Sequence, residues 1–165
     1  MCFGEMSKGR KVYTVILCVL FFAMLGFIFG HSLVPESESA KESGAVYGAL
    51  EPVIKAVFGE SFGEELLRKA AHFGEFCVLG VITSLIFISF KKYSLKNWFL
   101  LIAFGLAVGF IDETLQAIVK RGAMITDVWI DGGGFFTALI LVGGIFLLVN
   151  LIKNRKKAKS GYKDE

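Results

Sequence analysis

An all-α, integral membrane four-helix bundle with an outer amphipathic segment is the fold the sequence predicts, and three observations predict it. Hydrophobic residues make up 55% of the chain and 17 residues are Phe, with a mean hydropathy of +0.64, well beyond the soluble-domain norm. The apolar residues are gathered into four runs, each long enough to cross a hydrocarbon core of about 30 Å. The basic residues collect beside these runs on alternate sides rather than spreading over a surface.

Residues 1–11 are short and basic, with Lys8, Arg10 and Lys11. Val12 to Gly30 is then apolar but for Thr14. It is longer than a signal-peptide core and no small-x-small cleavage pattern follows, so an uncleaved first span is expected at about 12–30. The stretch from His31 to Leu67 is the most polar region. Ser37 to Gly44 is Ser/Glu-rich and reads as a loop. Val46, Leu50, Val53, Ile54, Val57 and Phe58 recur at helical spacing and predict an interfacial helix over about 46–58, starting or bending at Pro52. Ser61-x-x-Glu64 has capping-box spacing and is expected to open the next helix. The second span covers about 70–90 and ends before Lys91, Lys92 and Lys96. The third, about 98–119, opens at Trp98, an interfacial residue type, and stops at Lys120-Arg121. The fourth covers about 131–152 and precedes a basic tail. Residues 1–165 thus form one domain. Cys18 and Cys77 lie within apolar runs as small hydrophobes, and with Cys2 they make no metal-ligand spacing.

Four spans place both termini on one side. That side carries 12 of the 18 basic residues, and the opposite side carries 12 of the 15 acids. The positive-inside rule therefore puts both ends in the cytoplasm of a multi-pass protein of the cell membrane. No basic stripe interleaved with exposed aromatics points to nucleic acid. The sequence sets no oligomeric state.

The acids that break into apolar runs all do so at the outer ends. Arg68, His72 and Glu75 fall at i, i+4 and i+7 and share a helix face. Asp112, Glu113 and Gln116 close the third span, and Asp127 and Asp131 open the fourth. From the cytoplasmic ends, Glu75 and Asp112 lie roughly 21–23 Å deep at 1.5 Å per residue, a matched depth that suits a shared pocket. Ionisable groups so placed are costly and mark functional candidates. One network of Glu75 and Asp112 with Arg68, His72 and Arg121 is expected.

Arg68-Lys69-x-x-His72-Phe73-x-Glu75, Asp112-Glu113-x-x-Gln116, Arg121, and Asp127-Val128-x-x-Asp131-x-x-Gly134 occur in that order. With them the chain resembles the VanZ-like family of small bacterial membrane proteins. Ser32 and Pro35, near the end of the first span, match more loosely. Phe76 stands where the family often has Tyr, Lys120 where Gly is common, and Ala138 where a second Gly is frequent. The resemblance implies a cell-envelope role, and the founding member is associated with resistance to the glycopeptide teicoplanin.

Each group has a chemical and a structural reading. His72 and Glu75, at i and i+3, suit acid/base partnership or metal ligation, or a buried ion pair that locks the second span against the third. A single His disfavours zinc, no metal ligand or cofactor is assigned, and a hard divalent cation is the weaker option among the carboxylates. Arg68 and Arg121 suit an anion clamp, whereas snorkelling accounts for Lys69. Asp112 shares a face with Gln116 and is preferred to Glu113, which also reaches Gln116. Asp127 reads as a helix N-terminal acid, His31 as interfacial, and Gly132 to Gly134 as close-packing residues. No Ser or Cys nucleophile is expected in the cluster.

The expected function is an envelope protein whose outward pocket engages a membrane lipid or a lipid-linked or anionic cell-wall component. Glu75, Asp112 and His72 are the acid/base candidates. Arg68, Arg121, Glu113, Gln116, Asp127 and Asp131 are the binding candidates. The alternative is a non-enzymatic binder or transporter of an amphiphile. Transport would call for internal repeats and a midplane site, and the sequence shows neither.

Overall fold

The computed structural model describes residues 3–59, 62–122 and 124–161. Among these the chain is helical, with a short 3-10 turn at Phe3–Glu5 followed by α1 (Lys8–Ser32), α2 (Glu36–Phe58), α3 (Glu64–Ser89), α4 (Leu95–Ile118) and α5 (Ile125–Gly161). Helices α1, α3, α4 and α5 are each long and apolar enough to cross a membrane. The protein is a membrane protein with four spans and one lateral helix, α2.

The spans alternate in direction. At one end Arg10 donates to the Ile88 carbonyl at 3.1 Å and Thr14 Oγ1 meets Ser89 Oγ at 3.1 Å, so the start of α1 lies against the end of α3. At the other end Ser32, closing α1, donates to Asp112 near the end of α4. The four spans form a ring in which α1 touches α3 and α4, and α5 touches the same two helices. Consecutive α3 and α4 sit across the diagonal and barely meet. A direct lock between the second and third spans is therefore not what holds the bundle. That role falls to α5, whose broadest contact is with α3.

Each span buries one stripe at helical spacing. On α3 it is Phe76, Leu79, Gly80, Thr83 and Ser84. On α4 it is Leu101, Gly105, Val108, Gly109, Asp112, Glu113 and Gln116. The core joins Ile28, Phe76, Leu79, Leu101, Val108, Phe135 and Leu139. In lipid, association rests on close packing, and small residues allow it. A Cβ on Gly80 would lie 2.8 Å from both the Ala138 Cβ and the Phe135 carbonyl oxygen, and one on Gly134 would strike the Phe73 backbone. The packing role expected for the glycine triplet thus falls most heavily on Gly134. Gly133 has ordinary space, and Gly132 faces only the flexible end of Leu106.

Two local expectations are corrected. Ser37 to Gly44 is not a loop, because α2 runs unbroken from Glu36 to Phe58. Pro35 precedes it, Glu36 and Glu38 complement the helix dipole in its first turn, and Ala40, Lys41 and Glu42 are good helix formers. Nor does the helix start at Pro52, which lies inside it on an exposed face, where the Gly48 carbonyl it leaves unpaired is not sealed in protein. The helix stops at Gly59, whose φ of 81° only glycine adopts freely. The capping serine, Ser61, lies outside the described residues; Gly63 occupies the capping position and Glu64 is the first helical residue. The apolar face expected over 46–58 is present: Val46, Leu50, Val53 and Val57 are all exposed along one side of α2. This is the surface an interfacial helix offers to lipid.

Candidate functional site

Where the buried stripes reach the acidic end of the bundle they change from apolar to ionisable. The change requires no irregular backbone, since Asp112, Glu113 and Gln116 continue the stripe that began at Leu101. Asp131 lies one turn before Phe135 on α5, and His72 one turn before Phe76 on α3. Asp131 approaches α4 closely because Gly109 has no side chain: a Cβ there would lie 3.2 Å from the Asp131 Cβ.

His72, Asp112 and Asp131 meet at the centre. His72 Nδ1 lies 3.8 Å from Asp112 Oδ2 and 3.9 Å from Asp131 Oδ1. Asp112 and Asp131 are both fully buried. Asp112 is held from two sides, by the Ser32 hydroxyl and by Gln116 Nε2, which donates to its Oδ2 at 3.0 Å. Asp131 has no such support, as neither carboxylate oxygen has a hydrogen-bond partner among the described residues. One donor atom from each of the three residues lies within 4.8 Å of the others.

The remaining candidates form a shell of differing character. Glu113 is buried and stands outside the triad. One of its oxygens accepts from Gln116 Nε2 at 3.3 Å and the other from the Met124 backbone N–H at 2.9 Å, so it fastens the link between α4 and α5. Arg121 is 4% exposed and donates to the His31 carbonyl at 2.9 Å, tying that link back to α1. Burial pulls its guanidinium below the ordinary value, with Arg68 acting the same way and Asp112 and Glu113 opposing. Asp127 sits in the first turn of α5 and accepts a local hydrogen bond from Thr126 at 3.3 Å, as a helix N-terminal acid does. Lys69 pairs with Glu65 on the helix surface at 2.8 Å.

Arg68 and Glu75 join no ion pair among the described residues. Together with His72 they line a cavity of about 200 Å3 between α1, α2 and α3, flanked by Val46 and Leu67. The expected network is therefore divided into a buried triad, a structural tie at Arg121, and a cavity-lining pair. A second cavity, about 330 Å3, lies at mid-depth among Phe21, Phe87, Leu101 and Phe104. It is almost wholly apolar and suits acyl chains rather than chemistry.

Two residues at the end of α1 lie closer to the site than the sequence reading placed them. Ser32, which the sequence tied to the family pattern only loosely, is buried in the cluster. Its proton goes to Asp112 rather than to His72, which is not the arrangement of an activated nucleophile. The available signal was its position four residues beyond Ile28, on the stripe that also holds Thr14 and Leu17. His31 lies closer to the site than an interfacial role suggests, its ring 6.3 Å from that of His72.

No curated protein and no solved structure matches the chain. A family model described as VanZ/LLP1 matches residues 12–149. That stretch runs from the first apolar run through the buried triad and most of the last span, and the chain belongs to the VanZ/LLP1 family.

Proposed function

We propose that this VanZ-family membrane protein serves the bacterial cell envelope by binding a lipid-linked or anionic cell-wall component at its acidic end, and that this links it to glycopeptide (teicoplanin) resistance. The charge asymmetry supports an outward orientation for that end, with both termini cytoplasmic. One observation carries the reading: a cavity that sets Arg68, His72 and Glu75 beside Val46 and Leu67. A guanidinium next to an apolar wall matches an amphiphile with an anionic head group. The amphipathic α2 forms one side of the cavity, so a ligand can approach from the membrane plane.

A purely structural lock would be fully hydrogen-bonded. Of the seven buried polar side-chain atoms without a partner among the described residues, all but Ser84 Oγ belong to the acidic end. That pattern favours a site over a lock. If chemistry occurs there, Glu75 or Asp112 is the acid/base group with His72 as partner. The test is expression of the wild type and of Arg68→Ala and Glu75→Gln in a teicoplanin-susceptible host, with native mass spectrometry for co-purifying anionic lipids. Raised resistance and bound lipid in the wild type, both lost in the variants at unchanged protein level, is the expected result. Equal resistance and equal lipid in all three would end the proposal.

A further inference from the structure

We propose that His72, Asp112 and Asp131 hold a divalent transition-metal ion between α3, α4 and α5. Three observations lead there. One donor atom from each residue lies within 4.8 Å of the other two, and no other such group of His, Cys, Asp and Glu occurs among the described residues. Asp131 is fully buried, and among the described residues both its carboxylate oxygens lack a hydrogen-bond partner, as does Nδ1 of His72 facing it. The third observation is the way Asp112 is held. Ser32 and Gln116 orient its carboxylate and leave Oδ2 with a free lone pair on the side of His72. Hydrogen-bonded carboxylate ligands of this kind are usual in metal sites.

Two buried carboxylates around one imidazole call for positive charge. The nearby cation does not supply it, because Arg121 donates to the His31 carbonyl and its other terminal nitrogen is unpartnered. A divalent ion neutralises both acids and fills the vacant acceptor positions in one step. The donor set indicates which ion. Imidazole nitrogen argues against calcium and magnesium, which prefer oxygen alone, and the lack of sulfur argues against copper(I); a single His is few for zinc but does not bar it, so a borderline divalent ion such as zinc, manganese or iron(II) is the fitting class. Around a tetrahedral zinc with bonds of roughly 2.0–2.2 Å, ligand atoms lie about 3.3–3.6 Å apart. The 3.8 and 3.9 Å distances from His72 then need to close by a few tenths of an ångström, and the two carboxylates, whose donor atoms lie within 4.8 Å of each other, by up to about 1.5 Å. Three protein ligands leave coordination open to water, or to an oxygen of a ligand in the cavity that His72 also lines. The last point rests on the proposed function; the ion itself does not.

The experiment uses the full chain purified in detergent, stripped with EDTA, titrated separately with Zn2+ and Mn2+, desalted and assayed by elemental analysis and thermal melting. The wild type is expected to retain one equivalent of at least one ion and to melt several degrees higher when loaded. Asp131→Asn and His72→Gln should retain less than a tenth of that amount. Should the variants fold poorly, Co2+ added to the wild type should give ligand-field absorption bands that Zn2+ abolishes. Wild-type protein that retains neither ion and shows no cobalt bands would overturn the site. So would well-folded variants that hold as much metal as the wild type. Loss of resistance without loss of metal in Arg68→Ala would separate the cavity from the ion.

Discussion

The two ends of the bundle are built from the same four helices and treat buried polarity in opposite ways. Toward the basic end the polar groups that enter the helix contacts are matched but for Ser84 Oγ: Thr14 with Ser89, Arg10 with the Ile88 carbonyl, Tyr93 with the Leu139 carbonyl at 2.8 Å. At the acidic end Asp131, His72 Nδ1 and one Arg121 nitrogen have no hydrogen-bond partner among the described residues. Matched groups hold helices together, whereas buried unmatched groups are costly and persist where something else selects them. The apolar core of Phe76, Leu79, Phe135 and Leu139 lies between the two ends and adjoins the acidic end through Phe76 and Phe135.

The contrast fails outright if the ends do not lie on opposite sides of a membrane. With the native cysteines replaced, Ala45→Cys should react with an impermeant thiol reagent on intact cells, and Ser94→Cys only after permeabilisation. Both positions are exposed. The reverse pattern would turn the acidic end inward and remove the proposed access to cell-wall components.

Among stability effects, the largest belongs to the core. Phe135 is 1% exposed and packs on Phe104 and against Gly105. Phe135→Ala should cost about 3–5 kcal/mol, read as a large fall in melting temperature and abundance. Asp112→Asn comes next. It keeps the shape but turns an amide group toward Ser32 or Gln116, for about 1–3 kcal/mol. A larger loss than that of Phe135→Ala would make the acidic end a structural element after all.

Smaller effects sharpen the same comparison. Lys120 has a φ of 59°, a left-handed conformation that costs a non-glycine residue roughly 1–2 kcal/mol. Lys120→Gly should therefore raise stability by about 0.5–1 kcal/mol, after allowing for the greater freedom of glycine in the unfolded chain. No gain in chemical denaturation would argue that the strain is relieved elsewhere. The smallest expected change is Glu75→Gln, within about 0.5 kcal/mol, because Glu75 lines a cavity without an ion pair. Its effect should fall on phenotype alone.

Span number, one-sided charge and the clustering of acids were all legible in the sequence, because each depends on local composition. A 30 Å apolar core selects apolar runs wherever they lie, and periodicity assigns His72 and Glu75, or Asp112 and Gln116, to a common face without a partner in view. The Ser/Glu stretch of α2 was misread because composition weighed loop-forming serines above the helix-forming residues beside them. Which faces meet was a matter for the tertiary structure. Gly80, Gly109 and Gly134 let α5 close on α3 and α4, and that closure brings Asp131 rather than Glu75 to His72 and Asp112. Ser32 joins them for the same reason, since a hydroxyl at a helix end becomes informative only when a carboxylate from another helix stands opposite it. Helix-to-helix distance depends on the side chains of both partners together, and no single run of residues encodes it.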